Sequence, residues 1–97
     1  MKCINLPDQD ILKEIFYYDS ITGELVWKNN IKRPDLNGTV AGHLHKTGYR
    51  RVRVKSVMYQ AHRIIWKLMY GYNPEEIDHI DQQRWNNKLS NLTSLLI

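Results

Sequence analysis

A chain of 97 residues, 42% hydrophobic and 25% charged, has the composition of one globular domain and leaves no room for a second hydrophobic core. No apolar run approaches the ~20 residues of a membrane span, and the N-terminus lacks a signal-peptide pattern. One cysteine, Cys3, excludes an internal disulfide and a metal site made of cysteines alone. We therefore expect a single domain over residues 1–97, cytoplasmic and without a membrane partner.

The net charge of +4 is distributed unevenly along the chain. Residues 28–67 carry ten Lys or Arg residues against one carboxylate, that of Asp35, whereas the segments before and after are acidic. A concentration of positive charge is how many proteins bind polyanions, although a charge run is more often a solvated surface. Aromatic residues interleaved with the basic ones favour DNA as the partner of this middle segment.

The first predicted element is a short helix that begins at Pro7 and ends near Tyr18. Residues 19–23 are a predicted turn, residues 24–28 alternate like a short strand, and residues 29–37 form a polar, proline-containing loop. The apolar side chains of the helix share one face at helical spacing: Ile11, Leu12, Ile15 and Phe16.

The middle of the chain predicts a basic antiparallel sheet. Residues 38–44 read as one strand and residues 49–55 as a clearer one, with a turn at 46–48 between them and a hairpin tip at 56–57. Because side chains alternate along a strand, Val52 and Val54 face the core and the other face is cationic. The candidate DNA-binding residues are Tyr49, Arg50, Arg51, Arg53 and Lys55. The cationic ones are expected to contact phosphate, which gives affinity for DNA rather than a preference for one base sequence.

A central helix is predicted for residues 61–70, with Gly71 as its stop. His62 lies beside the apolar stripe at the start of this helix, and we interpret it as a structural residue. The predicted buried stripe consists of Ile64, Ile65, Leu68 and Met69, with Trp66 and Tyr70 flanking it.

The C-terminal segment places Asp78 directly before His79, between the strand-like residues Ile77 and Ile80, with a predicted return strand at 89–92. A carboxylate is a hard oxygen ligand suited to Mg²⁺. An imidazole titrates near neutral pH and can take a proton from water. Hydrolysis of a phosphodiester needs both an activated water and a cation that neutralises charge on the phosphate.

The order and spacing of several short motifs resemble those of the HNH homing-type endonucleases of phages, a His-Me finger family with a ββα-metal site. The resemblance extends from about Leu12 to Leu92. It is carried by Thr22-Gly23-Glu24-Leu25-Val26-Trp27, Ala61-His62-Arg63-Ile64-Ile65-Trp66, Ile77-Asp78-His79-Ile80 and Asn86-Asn87-Lys88-Leu89-Ser90-Asn91-Leu92.

The resemblance implies an α+β fold in which residues 7–60 form a small N-terminal helix and a basic antiparallel sheet. Residues 61–71 would be the one central helix, and residues 77–97 the C-terminal half of a ββα-metal finger. Carried over by position, Asp78 would bind Mg²⁺ or another divalent cation and His79 would be the general base. Among the loop-bracing residues, Asn91 would aim the base and Asn87 would support the loop.

Two departures from the family pattern accompany the resemblance. The third signature residue would lie about nine residues after Asn91, beyond Ile97, so the finger is expected to be truncated before its helix. The sequence Asp81-Gln82-Gln83 also stands where the family prefers Asn-Gly, which removes a glycine suited to a positive φ.

Two main functions and a weaker third one follow from these observations. The first is a DNA-binding protein derived from a phage HNH endonuclease, whose metal-dependent cleavage is left in doubt by the missing third residue. The alternative is a non-catalytic phage inhibitor, of the anti-defence or anti-CRISPR type, that binds a host nucleic-acid-processing complex and needs no cofactor. A weaker third option is a DNA-binding regulator.

A phage-encoded protein would act in the host cell cytoplasm. The apolar end, Leu95-Leu96-Ile97, is expected to bind a protein partner or a second copy of the chain.

Overall fold

A computed structural model describes residues 5–94 of the chain. Its described part contains two α-helices and three small antiparallel sheets, which confirms the predicted α+β class. No helix within this part is long and apolar enough to cross a membrane. The elements are α1 (Gln9–Ile15), β1 (Phe16–Asp19), β2 (Glu24–Trp27), β3 (His43–Leu44), β4 (Arg50–Val54), β5 (Val57–Gln60), α2 (Ala61–Tyr70), β6 (Ile77–His79) and β7 (Leu92–Ser94).

The N-terminal helix is shorter than predicted, because α1 ends at Ile15 and the next four residues form β1. Strand β1 pairs with β2 in a hairpin that runs from Phe16 opposite Trp27 to Asp19 opposite Glu24. Aromatic residues favour strands, and the buried–exposed–buried alternation over 16–18 matches a half-buried strand. Tertiary pairing with β2 therefore outweighs the helical spacing of Phe16 with the residues before it.

The middle sheet has the order β3-β4-β5. The strand predicted over residues 38–44 is wrong in extent, because only the two residues of β3 pair with β4 and a single bridge joins Val26 to Val40. Gly38 and Gly42 adopt φ values of +89° and +97°, which interrupt an extended chain. The hairpin tip is also shifted by one residue.

The β4–β5 turn consists of Lys55 and Ser56, both with positive φ, of 50° and 69°. Two positive φ values in a two-residue loop give the hairpin turn whose twist matches the flanking strands. Lys55 was predicted as the last residue of a strand and instead lies in this turn.

The hydrophobic core lies between α2, the middle sheet and the N-terminal hairpin. Helix α2 has the predicted bounds and stops at Gly71, whose φ of +87° allows its N–H to donate to the carbonyl of Lys67. One member of the predicted buried stripe is wrong: Met69 is 45% exposed, while Trp66 is buried. The largest fully buried side chains among the described residues are those of Leu12, Leu25, Val52, Ile64, Ile65 and Asn87.

Strands β6 and β7 form the third sheet, with Asp78 opposite Thr93 and His79 opposite Leu92. The predicted return strand at 89–92 is wrong in position, because Leu89–Asn91 is a 3₁₀ turn and the strand begins at Leu92. The Asn91 side chain donates a hydrogen bond to Asp81 in the preceding loop, so strand pairing starts only after Asn91. The interface predicted at residues 95–97 lies outside the described residues.

Candidate functional site

The candidate site begins with two adjacent residues of β6. Asp78 is exposed, and its carboxylate has no hydrogen bond or ion pair with another residue of the described part. The side chain of His79 is half-buried. One residue therefore offers a free anionic oxygen to solvent, and the next offers an imidazole held against the protein.

Asn87 fixes the imidazole of His79. Its Oδ1 lies 2.8 Å from His79 Nε2, and Asn87 itself is only 1% exposed. An amide oxygen only accepts hydrogen bonds, so Nε2 must carry the proton that it donates. In the neutral ring Nδ1 is then unprotonated, which is the form of histidine that accepts a proton from water.

Two aromatic rings, those of His62 and Tyr49, lie beside the same imidazole. The centroid of His79 lies 5.0 Å from that of His62, in an edge-on arrangement, and 6.0 Å from that of Tyr49. The ring centroids of Tyr49 and His62 are 5.4 Å apart. Tyr49, predicted to bind DNA, thus packs beside the histidine, and His62 supports both rings from the start of α2.

Arg84 is a cation of this site that the sequence did not indicate. Its guanidinium lies 5.0 Å above the centre of the Tyr49 ring and donates a hydrogen bond to the carbonyl of Thr47 at 2.9 Å. Such a cation–π contact fixes both partners. A single arginine in a polar loop carries no periodic signal, so only the three-dimensional contact identifies it.

The loop between β6 and β7 is organised by Asn91. Its Oδ1 accepts the N–H of Asp81 at 2.9 Å, and its Nδ2 donates to Asp81 Oδ1 at 2.8 Å and to the Asn86 carbonyl at 2.9 Å. Hydrogen bonds from the Gln83 N–H and then the Asn86 side chain hold the pKa of the Asp81 carboxyl below its usual value. Gln82 has a φ of 63°, the conformation for which a glycine would be better suited.

Tyr18 ties this loop to the N-terminal hairpin. Its hydroxyl donates to the Asn87 carbonyl at 2.7 Å and accepts the Leu89 N–H at 3.1 Å. Burial raises the pKa of the Tyr18 phenol. Gly23 packs so closely on the same segment that a Cβ there would lie 2.6 Å from the Lys88 nitrogen. The β1–β2 hairpin therefore supports Asn87, which in turn supports His79. The sequence did not indicate this role of the hairpin.

The predicted DNA-binding residues do not form one surface. Arg51 and Arg53 lie on the face of β4 opposite the buried Val52 and Val54, while Arg50 alternates onto the same face as the two valines. Arg50 and Arg51 are half-buried, and Arg53 is exposed. None of these three arginines forms an ion pair with a carboxylate in the described part of the chain. Arg51 and Arg53 are thus two cations on one face of the strand.

Comparison with known proteins agrees with this geometry. Residues 59–95 match the sequence model of a family described as HNH endonuclease.

This segment is similar in sequence to the HNH endonucleases.

The fold is also similar to a solved structure titled "DNA binding and cleavage by the HNH homing endonuclease I-HmuI", with a TM-score of 0.62 and 23% sequence identity. That likeness covers 95% of this chain and 52% of the other, so the chain spans about half the length of that structure. At this identity the likeness shows a shared fold. No curated protein matches the chain.

Asp78 is the candidate ligand for a divalent cation in residues 59–95, the segment that matches the HNH model and is called the HNH segment below. Within residues 5–94 no group of three or more His, Cys, Asp or Glu residues converges on a point. The free carboxylate of Asp78 fits Mg²⁺, because that ion keeps several waters and is often bound by one or two carboxylates.

His62 of the HNH segment makes stability depend on pH. It is 4% exposed, and its Nδ1 has no hydrogen-bond partner among residues 5–94. Burial, reinforced by His79 and then Arg63, lowers its pKa to about 3. The unfolded chain binds this proton near pH 6.5, so between these values the unfolded state holds more protons and stability falls as pH falls. We expect a loss of about 2 kcal/mol from this group between pH 7.5 and pH 5.

Urea unfolding of the wild type and of His62→Gln at pH 7.5, 6 and 5 measures this effect. The free energy of unfolding should decline less steeply with acidification in the variant, whatever its stability at pH 7.5. Parallel declines in the two proteins would contradict the assignment.

Proposed function

We propose that the protein binds DNA and hydrolyses one of its phosphodiester bonds in a reaction that needs a divalent cation. The observation that carries the proposal is the hydrogen bond from His79 Nε2 to Asn87 Oδ1, which leaves Nδ1 as a base. The exposed carboxylate of Asp78 adjoins it in sequence. The similar structure is described by its title as binding and cleaving DNA, which supports the same chemistry here.

In the proposed reaction, His79 Nδ1 takes a proton from a water molecule as the water oxygen attacks phosphorus. A new bond forms between that oxygen and phosphorus, the bond from phosphorus to one sugar oxygen breaks, and solvent protonates the leaving oxygen. Asp78 would hold the cation, which when bound neutralises the charge that builds on the phosphate. Asn87 and Asn91 keep the base and its loop in place, and Tyr49 and His62 restrict the imidazole from its other sides.

Conversion of supercoiled plasmid to the nicked form tests the proposal. The protein should nick in the presence of Mg²⁺ or Mn²⁺, stop on addition of EDTA and resume when the metal is restored in excess. An Asp78→Asn variant should need more metal for the same rate. DNA binding without nicking under any of these metals would contradict the catalytic proposal and favour the alternative, a non-catalytic binding module.

The basic face of β4 predicts a specific salt dependence. Each phosphate neutralised by Lys or Arg contributes about 0.9 to the slope of log K against log salt. We expect the double variant Arg51→Ala/Arg53→Ala to make that slope shallower by about 2 and to weaken binding to all sequences alike. Fluorescence anisotropy of a labelled duplex from 50 to 300 mM salt measures both effects.

Lys13→Ala is the matched control, because Lys13 is an exposed cation on α1, away from the basic sheet. Its slope should equal that of the wild type. An unchanged slope in the double variant would mean that this face of β4 does not contact phosphate.

A further inference from the structure

A cavity of about 380 Å³ lies between the 29–33 loop and the β4–β5 turn, away from the His79 cluster. Its volume is in the range of sites that bind small organic groups. Its wall is apolar, with Ile31 at the exposed edge, and the exposed side chains at its mouth are basic. The apolar residues are Ile15, Trp27, Ile31 and Val54, and the basic ones are Lys32, Arg33, Arg53 and Lys55.

The apolar wall is held in place by contacts on its far side. Trp27 is stacked on the buried ring of Phe16, with centroids 4.8 Å apart and planes inclined by 29°. The loop is fixed where the N–H groups of Lys28 and Asn29 both donate to the Ile15 carbonyl, at 2.8 and 3.1 Å. The cavity is therefore largely preformed and includes a supported indole, a side chain on which flat aromatic groups stack.

The mouth of the cavity carries unbalanced positive charge. Arg33 is paired with Asp35 at 2.9 Å, but Lys32, Arg53 and Lys55 have no carboxylate partner among residues 5–94. An occupant that matches both parts would have a flat apolar body and an anionic group at its edge. A nucleotide has this combination, with its base for the wall and its phosphate for the mouth.

The position of the cavity relates it to DNA. Strand β4 begins next to Tyr49, which contacts His79, and ends at the cavity, to which Arg53 and Val54 contribute. The five residues of β4 lie between Tyr49 and Lys55, a separation on the order of 20 Å.

We propose that this cavity receives an unpaired base of the bound DNA, at the end of β4 that is farther from His79. The base packs against the Trp27 wall, and the phosphates beside it contact Lys32, Arg53 and Lys55. The inference rests on the proposed DNA binding. It adds a preference for bulged or locally unpaired DNA over fully paired duplex.

The test compares the affinity of the full chain for a paired duplex and for the same duplex with one extra unpaired nucleotide. We expect the bulged duplex to bind about tenfold more tightly, since stacking of one base on an aromatic side chain has an effect of this order. Ile31→Asp, which places a carboxylate at the cavity, should abolish the preference. Ile21→Asp is the matched control, because Ile21 is also 82% exposed but lies outside the cavity. This control should keep the preference.

Different failures have different meanings. If the paired duplex binds with the expected salt dependence but the bulge brings no gain, or if Ile31→Asp keeps the gain, the cavity proposal is overturned and DNA binding stands. If neither duplex binds, both proposals fail. Free deoxyadenosine monophosphate should not bind measurably at micromolar concentration; saturable binding that Ile31→Asp removes, without a bulge preference, would assign the cavity to a free nucleotide instead.

Discussion

Alanine at position 79 is expected to reduce the rate of plasmid nicking by about two to four orders of magnitude, the usual contribution of a general base. The reason lies in the hydrogen bond that leaves Nδ1 of His79 free of a proton. No other side chain within the described part offers an equivalent base there, because His62 is buried with a pKa lowered to about 3 and carries its ring edge-on to His79. DNA affinity should change little, since the basic face of β4 is untouched.

The measurement is a nicking time course under single-turnover conditions, with protein in excess over plasmid and Mg²⁺ or Mn²⁺ present. His43→Ala is the matched control: His43 is an exposed histidine of β3 and should leave the rate within about twofold. Duplex affinity of both variants, measured in parallel, separates loss of chemistry from loss of binding. A His79→Ala variant that nicks at the wild-type rate would remove His79 from the reaction.

The features that could be predicted from the sequence are those encoded by neighbouring residues. Helix α2 shows the period of a half-buried helix and ends at a glycine, and both bounds agree with the structure. The adjacency of Asp78 and His79 is likewise a local feature. The turn over residues 19–23 follows from Gly23, whose φ is +78°. In each case, the decisive interaction lies within a few positions along the chain.

The features that were missed depend on distant residues. Tyr18 reaches Asn87 across 69 positions, and no pattern near either residue indicates that contact. The end of α1 is set by pairing of β1 with β2, which a helical stripe does not reveal. The left-handed turn at Lys55 and Ser56 carries neither glycine nor asparagine, the usual signal for positive φ. Tertiary contacts overrode local preference at each of these places.

The residues that support His79 were indicated by the family resemblance, and their individual contacts are given by the structure. Asn87 and Asn91 were both assigned to the loop from the family resemblance, and the structure gives them different contacts. Asn87 bonds the imidazole itself, while Asn91 bonds Asp81 and the Asn86 carbonyl. Resemblance thus indicated which residues matter, and only the hydrogen bonds indicate what each of them holds.

Replacement of Asn91 by alanine is expected to destabilise the protein by about 3 kcal/mol. The change removes three hydrogen bonds, and such bonds contribute about 1 kcal/mol each. Asn91 is 8% exposed, so water does not readily replace them. For a domain of this size the melting temperature should fall by roughly 15 °C.

Asn29→Ala is the matched control, since Asn29 is exposed and its side chain makes no hydrogen bond in the described part of the chain. Its melting temperature should stay within about 2 °C of the wild type, as expected for a neutral surface change. A second variant, Asn91→Asp, separates packing from hydrogen bonding because it keeps the shape. It loses both donors and places a second carboxylate beside Asp81, so it should be at least as unstable as Asn91→Ala.

Asn91→Ala should also slow nicking at temperatures where it remains folded. The loop that Asn91 closes carries Asn87, so a looser loop holds His79 Nε2 less firmly and the correct ring orientation is populated for less of the time. Duplex affinity at the same temperature should be preserved, because Arg51 and Arg53 lie on another sheet. A folded Asn91→Ala variant with the wild-type nicking rate would show that the loop does not position the base. A variant of wild-type stability would show that the three hydrogen bonds are replaced by water at no cost.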